Sequence, residues 1–288
     1  MLTAKKINSG SNCVGMQGII LPESWEQKDE FREILYKELQ NTKTDPCYYP
    51  GSKERVEEFV EKYGGKDSNL VTEVVGPMVV KSTFNEVDND KKYDATHDIH
   101  PHVIECGVFG TSEYNDYAIK NEAFGPVLAI VELPDVAAST VSKTTGDENI
   151  QYLLHSAIPF VNNKDNIFGS LSCILMYPQK YIRNSDSMRE VISQLNYGTV
   201  CINTNGLVGY FSIAAGGQWG SCVHDTTYQS GFGSIGNSFM LKNVEKTVVY
   251  SRSLRFPLLL SKRRLLPSFC WDALNEIILF LRFKIPFR

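Results

Sequence analysis

The chain has 288 residues, a net charge of −4, 42% hydrophobic and 22% charged residues. This describes one large globular domain or two small ones with an ordinary core, and the negative balance gives no general electrostatic basis for binding nucleic acid. Seven widely spaced cysteines, with no CxxC or CxxH pair, argue against zinc, and no metal is expected.

The N-terminus, Met1 to Cys13, has no apolar stretch of the secretory kind. A reducing, cytoplasmic setting is therefore expected, with most cysteines acting as small buried hydrophobes. Gly18 to Pro22 reads as a short strand stopped by proline. Ser24 is placed to cap a helix over Trp25 to Gln40, with Gln27 as its capping-box partner and Phe31, Ile34, Leu35 and Leu39 at helical spacing. After a turn-rich loop, Asp45 to Gly51, Ser52 is placed to cap a second helix to Tyr63, with Val56, Phe59 and Val60 inward.

Pro77 to Val80, Val103 to Phe109 and Leu128 to Leu133 read as strands, and Asn85 to Asp98 as a polar loop. Ile150 to Val161 reads as helical at first, then irregular. Ser170 to Tyr177 is a strand, Ser187 to Leu195 a helix closed by a glycine cap at Gly198, and Thr199 to Asn203 the next strand. Gly206 to Gly236 is rich in glycine, which suits either flexing or close backbone approach. Strands alternating with helices predict an α/β domain with a mostly parallel sheet flanked by helices.

From Arg252 onward eight Lys/Arg accompany two Asp/Glu, a net of +6 that leaves −10 on the remainder. Phe269, Trp271, Leu274, Ile277, Ile278 and Leu281 fall on one helical face, with Asp272 and Glu276 opposite. This basic amphipathic C-terminal tail is too short and charged to span a bilayer. Packing on its own domain or on a partner subunit is preferred over peripheral contact with an anionic membrane. His97, His100 and His102 cluster with Asp98 in what reads as a solvated polar loop rather than a metal site.

Two segments carry chemistry. Asn8-Ser9-Gly10-Ser11-Asn12-Cys13 puts a thiol on a loop of small residues, where backbone N–H groups could stabilise a thiolate or an oxyanion; a buried structural cysteine is the plainer alternative. Glu122-Ala123-Phe124-Gly125-Pro126-Val127 holds a carboxylate at a fixed turn, able to accept hydrogen bonds from ribose hydroxyls, beside a flat ring; the plainer alternative is a solvated Glu122 next to a core Phe124.

Together these segments resemble aldehyde dehydrogenases. Gly10 to Cys13 resembles their Gly-Gln-x-Cys nucleophile segment with Ser11 in place of Gln, and Glu122 to Val127 resembles their Glu-x-Phe-Gly-Pro-Val segment, 109 residues on. Gly198 to Asn203 is similar to the family's Gly-Thr-Val-x-Ile-Asn strand. Gly217-Gln218-Trp219-Gly220 stands where a Pro-aromatic-Gly-Gly turn is usual, and Gly231 to Val249 is similar to the segment closing the catalytic domain.

The resemblance covers roughly Lys6 to Ser251 and implies an aldehyde dehydrogenase catalytic-domain-like fold over residues 1–250, followed by the tail at 251–288. It implies oxidation of an aldehyde to an acid. Cys13 would add to the carbonyl carbon, hydride would pass to NAD or NADP, and water would release the acid from a thioester. Glu122 would bind the nicotinamide ribose, Phe124 would pack near it, and the Cys13 backbone N–H would be an oxyanion donor.

The family's nucleotide-binding domain precedes the nucleophile, whereas twelve residues precede Cys13 here. The general base and an oxyanion asparagine belong to that half, so impaired turnover is expected. A separate nucleotide-binding half or a homo-oligomer is the expected partner, with an aldehyde as substrate. The competing expectation is a catalytically inactive interaction module of the same fold. A third is a nucleotide-independent thiol acyltransferase or esterase.

Overall fold

The apolar run Val127–Leu133 becomes β4, an inner strand of a four-stranded sheet. The other strands are β1 (Gly18–Pro22), β2 (Val79–Lys81) and β3 (His102–Val108), in the order β1-β4-β3-β2. β4 runs parallel to both β1 and β3, with Ile19 opposite Ile130 and Val103 opposite Leu128; β2 closes the edge antiparallel to β3. A parallel strand covered on both faces reads as a nearly continuous apolar run. Accordingly six of the seven β4 residues are buried. The computed structural model describes residues 3–40, 44–47, 49–63, 79–81, 99, 101–135, 148–177, 186–206, 209, 217–219, 233–235, 240–242 and 244–250.

Alternation along the strands divides the core. On one face Val127, Ala129, Val131, Ile104 and Cys106 meet Val56 and Phe59 of α3 (Ser52–Glu61) and Ala118 and Ile119 of α4 (Tyr117–Lys120). On the other, Leu128, Ile130, Val103, Ile19 and Leu21 meet Leu35 and Leu39 of α2 (Lys28–Gln40). Truncating Leu128 or Ile130 to Ala would cost about 2–5 kcal/mol by loss of burial and cavity formation.

Glu105 and Glu132 share the α2 face. Arg32 meets both: its Nε and Nη2 donate to Glu105 at 2.9 and 3.1 Å, and Nη2 donates to Glu132 at 2.6 Å. Lys28, one helical turn earlier, donates to Glu132 at 2.6 Å, and Tyr36, one turn later, donates to Glu105. The carboxylates and guanidinium are each under 15% exposed, so the network is largely desolvated. Burial alone would lower the Arg32 pKa, but both carboxylates outweigh it and raise it.

Two compact units are formed, Met1–Gly169 with Ser187–Leu195, and Ser170–Asp186 with Asn196–Arg288. In the second, β5 (Ser172–Leu175), β6 (Thr199–Ile202) and β9 (Thr247–Tyr250) form a parallel sheet with β6 central and fully buried. Asn203, at φ 53°, ends β6: its side chain donates to the Tyr177 carbonyl at 2.6 Å and accepts the Tyr177 N–H at 2.8 Å. Within the glycine-rich region, β7 (Gly217–Trp219) and β8 (Gly233–Ile235) pair antiparallel. A Cβ on Gly209 would lie 2.8 Å from Cys201 Sγ and 2.5 Å from Thr199 Cγ2, so here glycine permits close packing on β6.

Several expectations are corrected. Ser24 does not cap α2; its hydroxyl donates to Asp135 at 2.6 Å, and the chain makes turns up to Lys28, so the helix starts too late for Ser24 to reach its free amides. Ser52 is the first helical residue rather than the cap, preceded by Gly51 at φ 73°, and its hydroxyl accepts from Arg55 at 2.9 Å. The segment expected to turn irregular stays helical: α5 (Glu148–Tyr152), a π turn (Leu153–Ala157) and α6 (Ile158–Asn162) follow without a break. Pro159 is tolerated because it opens the last segment.

Gly198 does not close α7 (Asp186–Gln194); it leads into β6, and its N–H donates to the carbonyl of Ser170, which precedes β5. His102 is no loop residue but the buried start of β3. His97 and His100, the loop at 85–98 and the tail at 251–288 lie outside the described residues. Among the described residues no helix is long and apolar enough to cross a membrane.

Candidate active site

The Cys13 loop is built from left-handed backbone. Asn8 (φ 50°), Ser9 (φ 49°) and Gly10 (φ 72°) follow one another at the end of a short N-terminal helical segment. Asparagine tolerates this region and glycine adopts it freely. Side chains then lock the loop: Asn8 Nδ2 donates to the Ser11 carbonyl at 3.0 Å, and Asn12 Nδ2 to the Ile7 carbonyl at 2.8 Å. Asp45 accepts the Asn8 N–H at 3.0 Å while its own N–H donates to the Lys6 carbonyl. Cys13 is the first corner of a turn closed by Gly15 N–H to the Asn12 carbonyl at 2.9 Å.

The second segment folds against this loop. Ser11 Oγ donates to the Phe124 carbonyl at 3.0 Å, and Lys5 Nζ donates to the Gly125 carbonyl at 3.2 Å. A Cβ on Gly10 would lie 2.5 Å from the Gly125 oxygen, so only glycine admits this approach. Phe124 itself sits at φ 43°, its ring edge-on to Tyr49 with centroids 5.5 Å apart. Arg55, from α3, donates to the Ala123 carbonyl at 3.3 Å.

Between the two segments lies a small open hollow with room for about one water molecule, whose lining includes Lys5, Gly10, Asn12, Gln17, Glu122 and Phe124. Glu122 is exposed at this cleft. Cys13 is also exposed; Asn12 beside it contributes to the lining and Cys13 does not. Among the described residues nothing hydrogen-bonds the Cys13 sulfur or accepts its backbone N–H. The other described thiols are less accessible: Cys47, Cys106 and Cys201 are buried and Cys173 is half-buried. Burial pushes Cys106 and Cys173 up to about 12, which keeps both as thiols at neutral pH.

Lys5 is a functional candidate that sequence reasoning missed. It is buried, and burial lowers its pKa to about 8 against the opposing attraction of Glu122. A Lys5-Lys6 pair near the N-terminus reads as solvated charge, and nothing local marks one of the two as enclosed. Among the described residues no group of three or more His, Cys, Asp or Glu could hold a metal ion.

The groups at this site bear on a nicotinamide cofactor. An exposed carboxylate beside an aromatic ring at the cleft fits a ribose and a flat heterocycle. Glu122 and Phe124 are the residues that would contact the ribose end of such a cofactor, and among the described residues no helix opens on a glycine-rich turn for its diphosphate.

No protein-family model matches the chain, and no curated protein sequence does. Among solved structures the chain is similar to proline utilization A from Bradyrhizobium japonicum, at 14% identity and a TM-score of 0.46 over 71% of this chain and 17% of that one. It is similar to a betaine aldehyde dehydrogenase double mutant from Staphylococcus aureus in complex with NAD+, at 16% identity and a TM-score of 0.43 over 71% and 34%. It is also similar to the NADP-dependent glyceraldehyde-3-phosphate dehydrogenase from Bacillus halodurans complexed with NADP, at 16% identity and a TM-score of 0.42 over 71% and 34%. The chain thus spans about a third or less of the length of the structures it matches.

Proposed function

We infer that this chain carries part of the catalytic site of an oxidoreductase of the aldehyde dehydrogenase type, with Cys13 as nucleophile. The observation that supports this reading is the seating of the Gly10–Cys13 loop on the Glu122–Pro126 turn, which leaves the Cys13 thiol in solvent. In this reading the Cys13 thiolate adds to an aldehyde carbon, forming a C–S bond and an alkoxide that the free Cys13 N–H can stabilise. Glu122 accepts hydrogen bonds from the ribose of NAD or NADP, and Phe124 flanks the ring. When bound, that cofactor would supply the hydride acceptor. Water then releases the acid from the thioester.

A second reading, a catalytically silent module of the same fold, is favoured by two observations: no described residue hydrogen-bonds the Cys13 sulfur, and Cys13 is not part of the cleft lining. Reaction with an activated ester separates the two. The nucleophile reading expects a stoichiometric burst of acylation at Cys13 that Cys13→Ser abolishes. NADH formation by the 288-residue polypeptide with NAD+ and aldehyde is expected to be low, because among the described residues no base is hydrogen-bonded to Cys13, and a positioned base is worth about 10²–10⁴-fold. No burst in the parent chain would leave the module reading.

A further inference from the structure

We propose that Lys5 is a second carbonyl-reactive site in the cleft, an amine that condenses with an aldehyde to form an imine. Three observations carry it. Lys5 is enclosed yet is one of the residues lining a small hollow that opens to solvent, a place where bulk water does little to stabilise an ammonium. Its hydrogen-bond acceptor is the neutral Gly125 carbonyl, at 3.2 Å. By contrast Lys28 is held by Glu132 at 2.6 Å and Lys120 by Asp116 at 2.7 Å, partners that favour the charged, unreactive form. Third, burial lowers the Lys5 pKa to about 8, so a substantial share of the amine is neutral near physiological pH. Glu122 attracts the protonated forms, and an iminium would inherit that attraction.

The chemistry balances without a further reagent. The neutral Nζ adds to the carbonyl carbon, forming a C–N bond while the carbonyl electrons and one nitrogen proton move to oxygen. Loss of water with the second nitrogen proton leaves C=N, so aldehyde and amine give imine and water. The choice of an aldehyde as ligand class rests on the Cys13 reading above; the reactive amine itself does not.

The 288-residue chain is treated at pH 8 with propanal and sodium cyanoborohydride, and adducts are assigned by site-resolved mass spectrometry that separates Lys5 from Lys6 and the amino terminus. The expected result is a gain at Lys5 of the aldehyde less its oxygen. It should form at least about tenfold faster than at the exposed Lys37, Lys53 or Lys62, because burial has lowered the pKa of Lys5 to about 8. Cys13→Ser should retain the Lys5 adduct, and Lys5→Arg, which keeps the cation facing Gly125, should remove it. A Lys5 adduct with an inert Cys13 would retain this inference and discard the nucleophile reading. An acylated Cys13 with Lys5 unmodified, or modified no faster than the exposed lysines, would overturn it.

Discussion

Ser11 donates its hydroxyl hydrogen to the carbonyl of Phe124 at 3.0 Å, joining two segments 113 residues apart. The acceptor is main chain, so the contact fixes the path of the turn without engaging the Phe124 ring or the Glu122 carboxylate. Replacing Ser11 by Ala removes the donor and strands a partly buried carbonyl, at about 1–3 kcal/mol.

Gly10→Ala should be worse than its size suggests. It places a methyl 2.5 Å from the Gly125 oxygen at a φ of 72°, so the cost combines backbone strain with displacement of the turn, about 2–4 kcal/mol. Urea unfolding measures the loss, and reductive trapping at Lys5 should fall in parallel because the same turn holds its acceptor. A midpoint equal to the parent's would refute the close approach.

Iodoacetamide at pH 7.5 should label Cys13 at least about 100-fold faster than Cys106 or Cys173. Cys13 is exposed, whereas both others are pushed up to about 12 by burial and hold little thiolate. Equal rates across the three would contradict the exposed position of Cys13.

Arg32→Met leaves Glu105 and Glu132 facing each other with little water, and about 3 kcal/mol of stability should be lost. The pH dependence has a definite sign. Burial pushes Glu132 up, but hydrogen bonds from Lys28 and Arg32 outweigh it and hold the carboxyl below the ordinary glutamate range. The unfolded chain therefore binds the extra proton, and this contribution is complete above about pH 4.3 and disappears as pH falls through the lower, folded value. Urea midpoints taken from pH 6 down to pH 3 should decline in that window, and Arg32→Met should flatten the decline. An equally steep decline in the variant would assign it to other groups.

Glu122→Gln separates the two roles given to this carboxylate. Losing its charge removes the attraction that holds Lys5 protonated, so Lys5 trapping near pH 7 should rise by about two- to fivefold. Binding of a nicotinamide nucleotide, measured by calorimetry, should weaken. Unchanged trapping would mean that Glu122 does not act on Lys5.

The composition of short segments already marks the sheet and the two halves of the site. Leu128 to Leu133 reads as an enclosed strand, because a short run with one charge, ended by Pro134, has no solvated face to offer. The Gly10–Cys13 and Glu122–Val127 segments stand out because turns, glycines and a reactive side chain must be close in sequence to work together. Tertiary structure decided the rest. Lys5 and Lys6 are adjacent and chemically identical, yet Lys5 alone is buried and donates to Gly125, 120 residues later. Lys28, Arg32 and Tyr36 look like an ordinary polar helix stripe until strand register places Glu105 and Glu132 beneath them. Periodicity specifies which way a side chain faces; burial and charge depend on what arrives opposite, and only the folded chain brings that residue there.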